Sequence, residues 1–462
     1  MRNSLPELRR LRSRLSNLHS DHRRIASGAF RVAVFLLLGK AAGAVKEMAV
    51  AYRYGVSDVV DAYQFTMTLA NWLPITIVGA LSVVLIPVLV RARDDTAALH
   101  RFLGELHGWV ILVGLVLAGG IYVAWPWVLD VAGAGLDDDT RRMSRQLTLA
   151  FAPAALFTLM TGVSAARLRA RERHINTLLD SVPAVVILVW VLLAVTPIDV
   201  GPLLWGTLVG YAIQSVWLLW LAARADGGVG RPRLGLSAGQ WPDLMKAAGV
   251  MLIGQVAMSF VGPIDQYTAA TLGANANATL GYAARLLSLL LGLGAASVGR
   301  AALPVLADVQ RRGDMLRARR LALKWSVLMA LGGALVTLVG WMLAPWLVSL
   351  LFERGAFTAD DTVRVAGVMR WGLLQMPFYF GVLVLVQLLA SQNRYRIMAS
   401  IAVANFLLKA AMNHVLAPVM GVNGIMLATG LMYLLSYVCY MAVALSPPPA
   451  SPEPVAASPG RD

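Results

Sequence analysis

Long apolar runs are the sequence feature that most constrains this chain. Twelve stretches are long enough to cross a bilayer, since a spanning helix needs roughly 20 mostly apolar residues. They are far longer than barrel strands and lack strict alternation, so the predicted spanning element is the α-helix. The approximate limits are 29–53, 62–90, 104–127, 146–166, 175–196, 202–222, 247–269, 280–307, 325–352, 365–390, 397–417 and 424–445.

The distribution of basic residues tests this count of spans. With the N-terminus inside, the inner segments hold 27 Lys and Arg residues and the outer segments hold 5. Such a bias follows the positive-inside rule, and one miscounted span would destroy the alternation after it. The sequence therefore predicts twelve spans with both termini in the cytoplasm.

Composition excludes several other classes of protein. The chain is 58% hydrophobic and 14% charged, which excludes a soluble or a disordered protein. Its net charge of +15 does not indicate nucleic-acid binding, because the chain has no soluble domain that could carry a basic surface. One cysteine, Cys439, permits no intramolecular disulfide, and the six histidines show no metal-ligand spacing. No phosphate-binding loop of an ATPase is present. We expect neither cofactor nor metal, and transport that is secondary.

The two ends of the chain differ from the spans in composition. Segment 1–28 carries seven arginines and no cleavable signal peptide. It is predicted to contact anionic lipid, and the alternative is a purely topogenic role. Segment 446–462 holds six prolines and is predicted to be a disordered cytoplasmic tail.

Short matches in the same order indicate that the chain contains two copies of one unit. Pairs include KAAG at 40–43 and 246–249, PVL at 87–89 and 304–306, PW at 126–127 and 345–346, GA with DDT at 133–140 and 355–362, and Pro153 with Pro377. Each copy has six spans, which predicts two parallel, pseudo-symmetric lobes, 29–235 and 236–445. Two such lobes are typical of an alternating-access transporter.

Ionisable residues inside spans are costly and mark candidate sites. Span 1 carries Lys40, Lys46 and Glu47, and span 8 carries Arg285. Lys40 has the alternative of extending to the headgroups. Because such cations suit phosphates and diphosphates, they predict an anionic substrate that crosses the membrane.

Span 11 contains a second candidate. Lys409 lies in mid-span, four residues after Asn405. Its alternative explanation is a buried ion pair with Asp265 or with another carboxylate.

Three motifs resemble the MurJ (MviN) lipid II flippases of the MOP exporter superfamily, over nearly the whole chain. They are GKAAGAVKE at 39–47 with the residues that follow to Tyr63, YAARL at 282–286 and LFERGAFT at 351–358. The resemblance implies a V-shaped, all-α fold of two lobes around a cationic cavity. It implies a bacterial inner-membrane flippase, not an enzyme, that moves an undecaprenyl-diphosphate-linked saccharide such as lipid II to the periplasmic leaflet.

The resemblance also assigns roles. Lys40 and Lys46 stand where the family has arginines, and with Arg285 they would hold the diphosphate. Asp61, Glu47 and Gly43 would act in gating. Some members bind sodium near span 11, where Lys409 and Asn405 would supply an internal cation instead.

Two departures from the family bear on the cargo. Pro74 occupies the position of a family arginine, and the chain is a shortened member without two further C-terminal spans. These departures favour an alternative cargo, an exopolysaccharide or O-antigen repeat unit on the same lipid. A multidrug exporter and a membrane-embedded polysaccharide polymerase or ligase remain further alternatives. The protein is expected to act as a monomer without nucleic acid.

Overall fold

The structure is a computed structural model in which helices are the regular elements of the described chain. It describes residues 34–35, 37–92, 95–171, 173, 175–193, 199–228, 230–242, 244–245, 255–256, 258–292, 315–392 and 394–446. Within these ranges no strand occurs. The arm 1–28 and the tail beyond Ser446 lie outside the described residues, and so do the repeat motifs at 246–249 and 304–306.

The described residues of the N-terminal half form seven helices. They are α1 (37–54), α2 (Asp58–Arg91), α3 (Thr96–Val131), α4 (Asp138–Ala170), α5 (Asn176–Leu179), α6 (Val182–Leu193) and α7 (Gly201–Asp226).

The C-terminal half contains a further seven in the described part of the chain. They are α8 (Val261–Thr271), α9 (276–292), α10 (Met315–Phe352), α11 (Ala359–Leu373), α12 (Met376–Ser391), α13 (Tyr395–Met420) and α14 (Val422–Leu445).

Eight helices of the described residues are long and apolar enough to cross a membrane, and nine if a bent pair counts as one span. The bent pair is α11 with α12, which meet at 40°. The other three predicted spans, 29–53, 247–269 and 280–307, are only partly described. The prediction of an all-helical membrane fold is confirmed, whereas the count of twelve stays a prediction.

Helix α4 begins earlier than the hydropathy predicted. Asp137 accepts a hydrogen bond from the Thr140 backbone N–H at 3.1 Å, so α4 starts at Asp138, within the predicted outer loop 128–145. Such caps satisfy donors that the helix itself leaves free. Arg141 then lies in the first turn and reaches Asp130 at 2.7 Å. A hydropathy window misses this start because the first turns of α4 are charged.

Helix positions support the internal repeat. Asp138 and Ala359, which begin α4 and α11, are 221 residues apart, and Gly201 and Val422, which begin α7 and α14, are separated by the same 221. The ends of α3 and α10 keep this offset as well. Within the described residues the copies differ at two places, since α4 is continuous where α11 and α12 are broken, and α13 is continuous where α5 and α6 are broken.

Packing follows the two halves. α4 packs against α2, α3 and α7, whereas α10, α12 and α14 pack with one another and with α11 and α13. The contacts between the halves include those of α8 with α2. Segment 230–242 packs on α3, and the boundary predicted between 235 and 236 falls inside it.

Candidate functional site

A cavity of about 320 Å³ lies beside α1, between the two halves. Lys40, Gly43 and Glu47 line it from one face of α1, as their spacing of three and four residues requires. Arg285 of α9 also lines it. A Cβ atom added at Gly43 would meet no atom within 4 Å, so this residue faces open space.

Two cations and two carboxylates line the cavity, and a third cation, Lys46, lies behind its wall. Glu47 forms ion pairs with both Lys46 and Arg285. Asp180 also lies on the wall, where Gln214 Nε2 donates to its Oδ1 at 3.4 Å. With Lys40 included, the cavity region carries one net positive charge. A group of ions this close to apolar surroundings is costly unless the charges are balanced, and here the balance is incomplete.

Arg285 is a cation of the cavity wall that is partly available to a ligand. Its side chain is 23% exposed, and its Nη2 donates to Gln64 Oε1 at 3.1 Å. The guanidinium offers five donors in a planar fork, which suits the oxygens of a phosphate. Arg285 therefore keeps donors free for a further anion while Glu47 holds it in place.

Lys46 was predicted to share the wall with Lys40 and Arg285, but the structure places it behind Glu47. It is 6% exposed, and its Nζ lies 5.9 Å from the centre of the Tyr63 ring. Lys46 and Glu47 are sequential neighbours on α1, so only one of them can face the cavity directly. The spacing in the sequence does not show which of the two it is.

Asp61, predicted as a gating carboxylate, joins the two halves at the end predicted to be periplasmic. It is fully buried in α2 and accepts hydrogen bonds from the Ala278 backbone N–H at 2.7 Å and from Asn277 Nδ2 at 3.4 Å. Asp61 therefore caps the first turn of α9 across the interface. An opening of this end would separate the carboxylate from its donors.

At the same end, the backbone around Gly55 touches the backbone around Gly355 of the other half. We call this the outer contact. The Ala356 N–H donates to Tyr52 O at 2.9 Å, and Tyr282 Oη donates to Gly55 O at 2.9 Å. Gly55 and Gly355 both have positive φ, 58° and 62°. A Cβ atom on Gly55 would lie 2.3 Å from Ala356 O, and one on Gly355 would lie 2.3 Å from Tyr52 O.

The motif at 351–358 supplies half of the outer contact. Beyond the end of α10, hydrogen bonds from Ser349 and Thr362 lower the pKa of Glu353 below its usual value. Thr358 then begins α11 with a capping box that includes Asp361. These bonds hold the loop that carries Gly355 against the other half.

A second charged cluster lies inside the C-terminal half. Lys409 is fully buried, and its Nζ contacts Asp265 Oδ1 at 2.8 Å, Ile425 O at 2.7 Å and Thr429 Oγ1 at 2.7 Å. All three donors of the ammonium are thus used. Asn405, grouped with Lys409 in the sequence, instead donates to Ser436 Oγ at 3.1 Å.

Asn413 is the amide that supports this cluster, and it was not among the residues predicted from the sequence. Its Nδ2 donates to Asp265 Oδ1 at 2.8 Å. Spacing offered the signal, since Asn405, Lys409 and Asn413 are four residues apart on one face of α13. Among the described residues no group of three His, Cys, Asp or Glu could hold a metal ion.

The sequence did not reveal the buried ionic group in the N-terminal half. Arg167 is 1% exposed, and its Nε donates to Asp226 Oδ2 at 2.8 Å. His107 Nδ1 donates to Leu103 O at 2.7 Å, so its Nε2 accepts from Arg167 Nη1 at 3.0 Å. Arg167 lies at a helix end, where a basic residue is expected for topology alone.

The family model described as "Lipid II flippase MurJ" matches residues 50–446, which is most of the chain. The chain belongs to the MurJ family. This family consists of flippases, so the protein is a transporter and the polymerase or ligase alternative is not supported. MurJ flippases are multi-pass proteins of the inner membrane, in agreement with the apolar helices.

Two curated relatives show the extent of the likeness. A probable lipid II flippase MurJ of Synechocystis sp. is 29% identical over 432 residues, covering 88% of this chain and 79% of the relative. The lipid II flippase MurJ of Burkholderia cenocepacia is 24% identical, covering 86% and 80%.

Solved structures match the fold. A lipid II flippase MurJ in an inward closed conformation superposes with a TM-score of 0.76 at 18% identity, covering 90% of this chain and 87% of its own. An inward-facing multidrug transporter of the MATE family and MOP superfamily gives a TM-score of 0.71 at 13% identity, covering 87% and 93%. The fold is therefore that of MurJ and MATE transporters.

Proposed function

We propose that this protein flips an undecaprenyl-diphosphate-linked saccharide, a lipid II-like precursor of peptidoglycan, from the cytoplasmic to the periplasmic leaflet by alternating access. The observation that carries the proposal is the position of Arg285 on the cavity wall, held by Glu47 and still partly exposed. Membership of the MurJ family supports the cargo class. The protein acts as a monomer with both termini in the cytoplasm.

In this proposal Glu47 takes the place of the cargo when the cavity is empty. A diphosphate carries more negative charge than one carboxylate and binds an arginine through two parallel hydrogen bonds. It therefore displaces Glu47 from Arg285, while Lys40 approaches from about two turns along α1. Because Lys46 remains paired with Glu47, the carboxylate is not left alone in an apolar site.

The outer contact supports an alternating mechanism. Asp61 and the outer contact hold the two halves together at the predicted periplasmic end. Cargo then enters from the cytoplasmic leaflet and leaves only when these hydrogen bonds break. Gly43 leaves the wall of α1 open, which gives the diphosphate access to Glu47 and Arg285.

Variants of the ion triad, which consists of Lys46, Glu47 and Arg285, test whether the cavity binds the cargo. Arg285→Ala and Lys46→Ala should abolish flipping in proteoliposomes, because a charge that binds or orients the diphosphate is lost. Arg142→Ala, at an exposed surface ion pair with Asp139, is the matched control and should flip at the wild-type rate. Equal amounts of each variant in the membrane fraction show that insertion is intact. Full flipping by both triad variants contradicts the proposal.

The cargo itself is tested by depletion of the protein. We expect a lipid-linked precursor to accumulate in the inner leaflet, and mass spectrometry identifies its saccharide. Lipid II supports the peptidoglycan role. Accumulation of an exopolysaccharide or O-antigen unit instead supports the alternative that the Pro74 position favours. A cationic drug is a poor cargo for a wall that carries Lys40 and Arg285.

We further propose that Lys409 acts as a fixed internal cation. Its ammonium is surrounded by a carboxylate, a carbonyl and a hydroxyl oxygen, the ligand types that suit a hard metal ion. Transport should then proceed at the same rate in sodium and in potassium buffer. A rate that depends on sodium in the wild-type protein contradicts this assignment.

A further inference from the structure

A second cavity, of about 470 Å³, lies at the end of the N-terminal half predicted to face the cytoplasm. It is formed by the first turns of α3, the end of α7 and the irregular segment 230–237, which we call the strap. Its charged lining is basic throughout, since it includes Arg101, Arg231, Arg233 and His100 but no carboxylate among the described residues. Its volume is in the range of ordinary ligand sites.

The strap is fixed against α3 by backbone contact. The Arg233 N–H donates to Gly104 O at 3.0 Å. A Cβ atom on Gly104 would lie 2.8 Å from Arg231 O, and one on Gly108 would lie 2.1 Å from Arg233 O. Glycine at these two positions is therefore what allows the strap to lie so close to the helix.

Glu105 holds the far end of the strap. Its carboxylate accepts hydrogen bonds from Ser237, from the Ala238 N–H at 3.1 Å and from Trp241 Nε1 at 2.6 Å. Both oxygens of Glu105 are thus occupied by donors of this segment. The carboxylate positions the strap and is not a counterion for the arginines of the cavity.

The other nearby carboxylate is also compensated. Asp226, at the end of α7, accepts from Arg167 Nε at 2.8 Å and from Arg171 Nε at 3.0 Å, while His100 Nε2 contacts its backbone oxygen at 3.2 Å. Two guanidinium groups share this one carboxylate. Its charge is therefore not available to balance the arginines of the second cavity.

The three arginines of the cavity have no such partners. Within the described parts of the chain, the side chains of Arg101, Arg231 and Arg233 form no ion pair or hydrogen bond, and all three are exposed. Arg231 and Arg233 are two residues apart, the spacing that puts neighbours on one side of an extended chain. Their unused donors converge on a single concave space, which is the arrangement that binds phosphate.

Exposed apolar side chains indicate the depth of this cavity in the membrane. Leu234 and Leu236 of the strap are 65% and 59% exposed. Trp109 Nε1 donates to Gly235 O at 2.9 Å from the neighbouring turn of α3. Exposed leucines beside arginines and a tryptophan are typical of the boundary between acyl chains and headgroups.

We propose that the second cavity binds a phosphate-bearing anion, with Arg101, Arg231 and Arg233 as its ligands. The position of the strap favours the headgroup of an anionic phospholipid, and the same donors suit a soluble phosphate. Basic pockets at the cytoplasmic side of membrane helices bind phospholipid headgroups in this way. This site is separate from the cavity beside α1.

The test uses the full-length protein in detergent and calorimetric titration. The probes are dihexanoyl phosphatidylglycerol, dihexanoyl phosphatidylcholine and inorganic phosphate. We expect saturable binding of phosphatidylglycerol but not of phosphatidylcholine. The variant with Arg231→Ala and Arg233→Ala should bind at least about tenfold more weakly, a loss of about 1.4 kcal/mol. Arg231→Lys with Arg233→Lys should give an intermediate affinity, because the charge is kept and the fork is lost.

Arg396→Ala is the matched control. Arg396 is an exposed arginine of α13 on the same predicted side, without an ion pair among the described residues, and its removal should change the affinity by less than about twofold. Binding of inorganic phosphate that competes with phosphatidylglycerol supports a soluble anion as a ligand, and its failure to compete supports the lipid alone. An affinity that the double alanine variant retains, or the absence of binding by both phosphate probes, overturns the proposal. Equal unfolding temperatures exclude a folding defect.

Discussion

Two clusters of charge in the membrane region differ in their balance. The cavity cluster consists of Lys40, Lys46, Glu47, Asp180 and Arg285, with three cations against two carboxylates. The internal pair consists of Asp265 and Lys409, one charge of each sign. The cavity cluster is open to a ligand, whereas the ammonium of the internal pair has all of its donors occupied. We therefore expect the internal pair to serve the fold and the cavity cluster to bind an anion.

The largest effect is expected at the internal pair. Asp265→Asn leaves a fully buried ammonium without its counterion, which should lower the free energy of unfolding by about 3–5 kcal/mol. The unfolding temperature in detergent, followed by tryptophan fluorescence, measures this loss. The double variant Asp265→Asn with Lys409→Met should recover most of the stability. A single variant as stable as the wild-type protein contradicts the assignment of the pair as structural.

The cavity cluster should respond in its affinity for a diphosphate. Glu47→Gln removes the carboxylate that competes for Arg285, so a short-chain prenyl diphosphate should bind about tenfold more tightly, a gain of about 1.4 kcal/mol. Calorimetric titration measures the affinity. Asp265→Asn, wherever it remains folded, should leave this affinity unchanged. Weaker binding by Glu47→Gln would show that the carboxylate helps the cargo and does not compete with it.

Steric filling of the cavity should have a smaller effect. Gly43→Leu places a side chain in open space, so the fold should be kept while flipping slows about fivefold, or about 1 kcal/mol. Gly119→Leu is the matched control, because Gly119 is exposed on α3 and also has open space around it. Its flipping rate in proteoliposomes should equal that of the wild-type protein. Equal slowing by the two variants would show a general effect on the helices.

The smallest expected effect is that of salt. Raising the ionic strength from about 0.1 to 0.5 M should weaken diphosphate binding at the cavity cluster about threefold, because exposed charges are screened. Lys409 is fully buried and the side chain of Asp265 is only 18% exposed, so the unfolding temperature should change almost equally in the wild-type protein and in the Asp265→Asn, Lys409→Met variant. A salt effect on stability that disappears in this variant would show that the pair is accessible to water.

Hydropathy and charge predicted the architecture because membrane spans are imposed by length and apolarity. The same reasoning placed the start of α4 too late, since Asp138 and the arginines after it are polar although they are helical. The repeat was visible as short matches, and the structure adds the constant offset of 221 residues between helix boundaries. The break between α11 and α12 has no counterpart in α4, and sequence similarity between the copies concealed it.

The site was predictable in part, for a physical reason. A helical stripe identifies Lys40, Gly43 and Glu47 as neighbours, and the structure has them on one wall. Which residue of a sequential pair faces the cavity depends on the rotation of α1, so the burial of Lys46 could not be derived. Contacts between distant segments, such as Glu105 with Trp241, leave no periodic signal at all.

The outer contact has a consequence for the thermodynamics of transport. Together the outer contact and Asp61 supply three hydrogen bonds shorter than 3 Å, accepted by Tyr52 O, Gly55 O and Asp61 Oδ1. In the proposed alternating mechanism these bonds break together, so we expect the opening to be cooperative. At about 1 kcal/mol net for each bond, we expect the open state of the proposed mechanism to make up less than about 1% of the population. A bound cargo shifts this equilibrium only by its differential affinity for the two states. The strength of the outer contact therefore sets a lower limit on how strongly the cargo must prefer the open form.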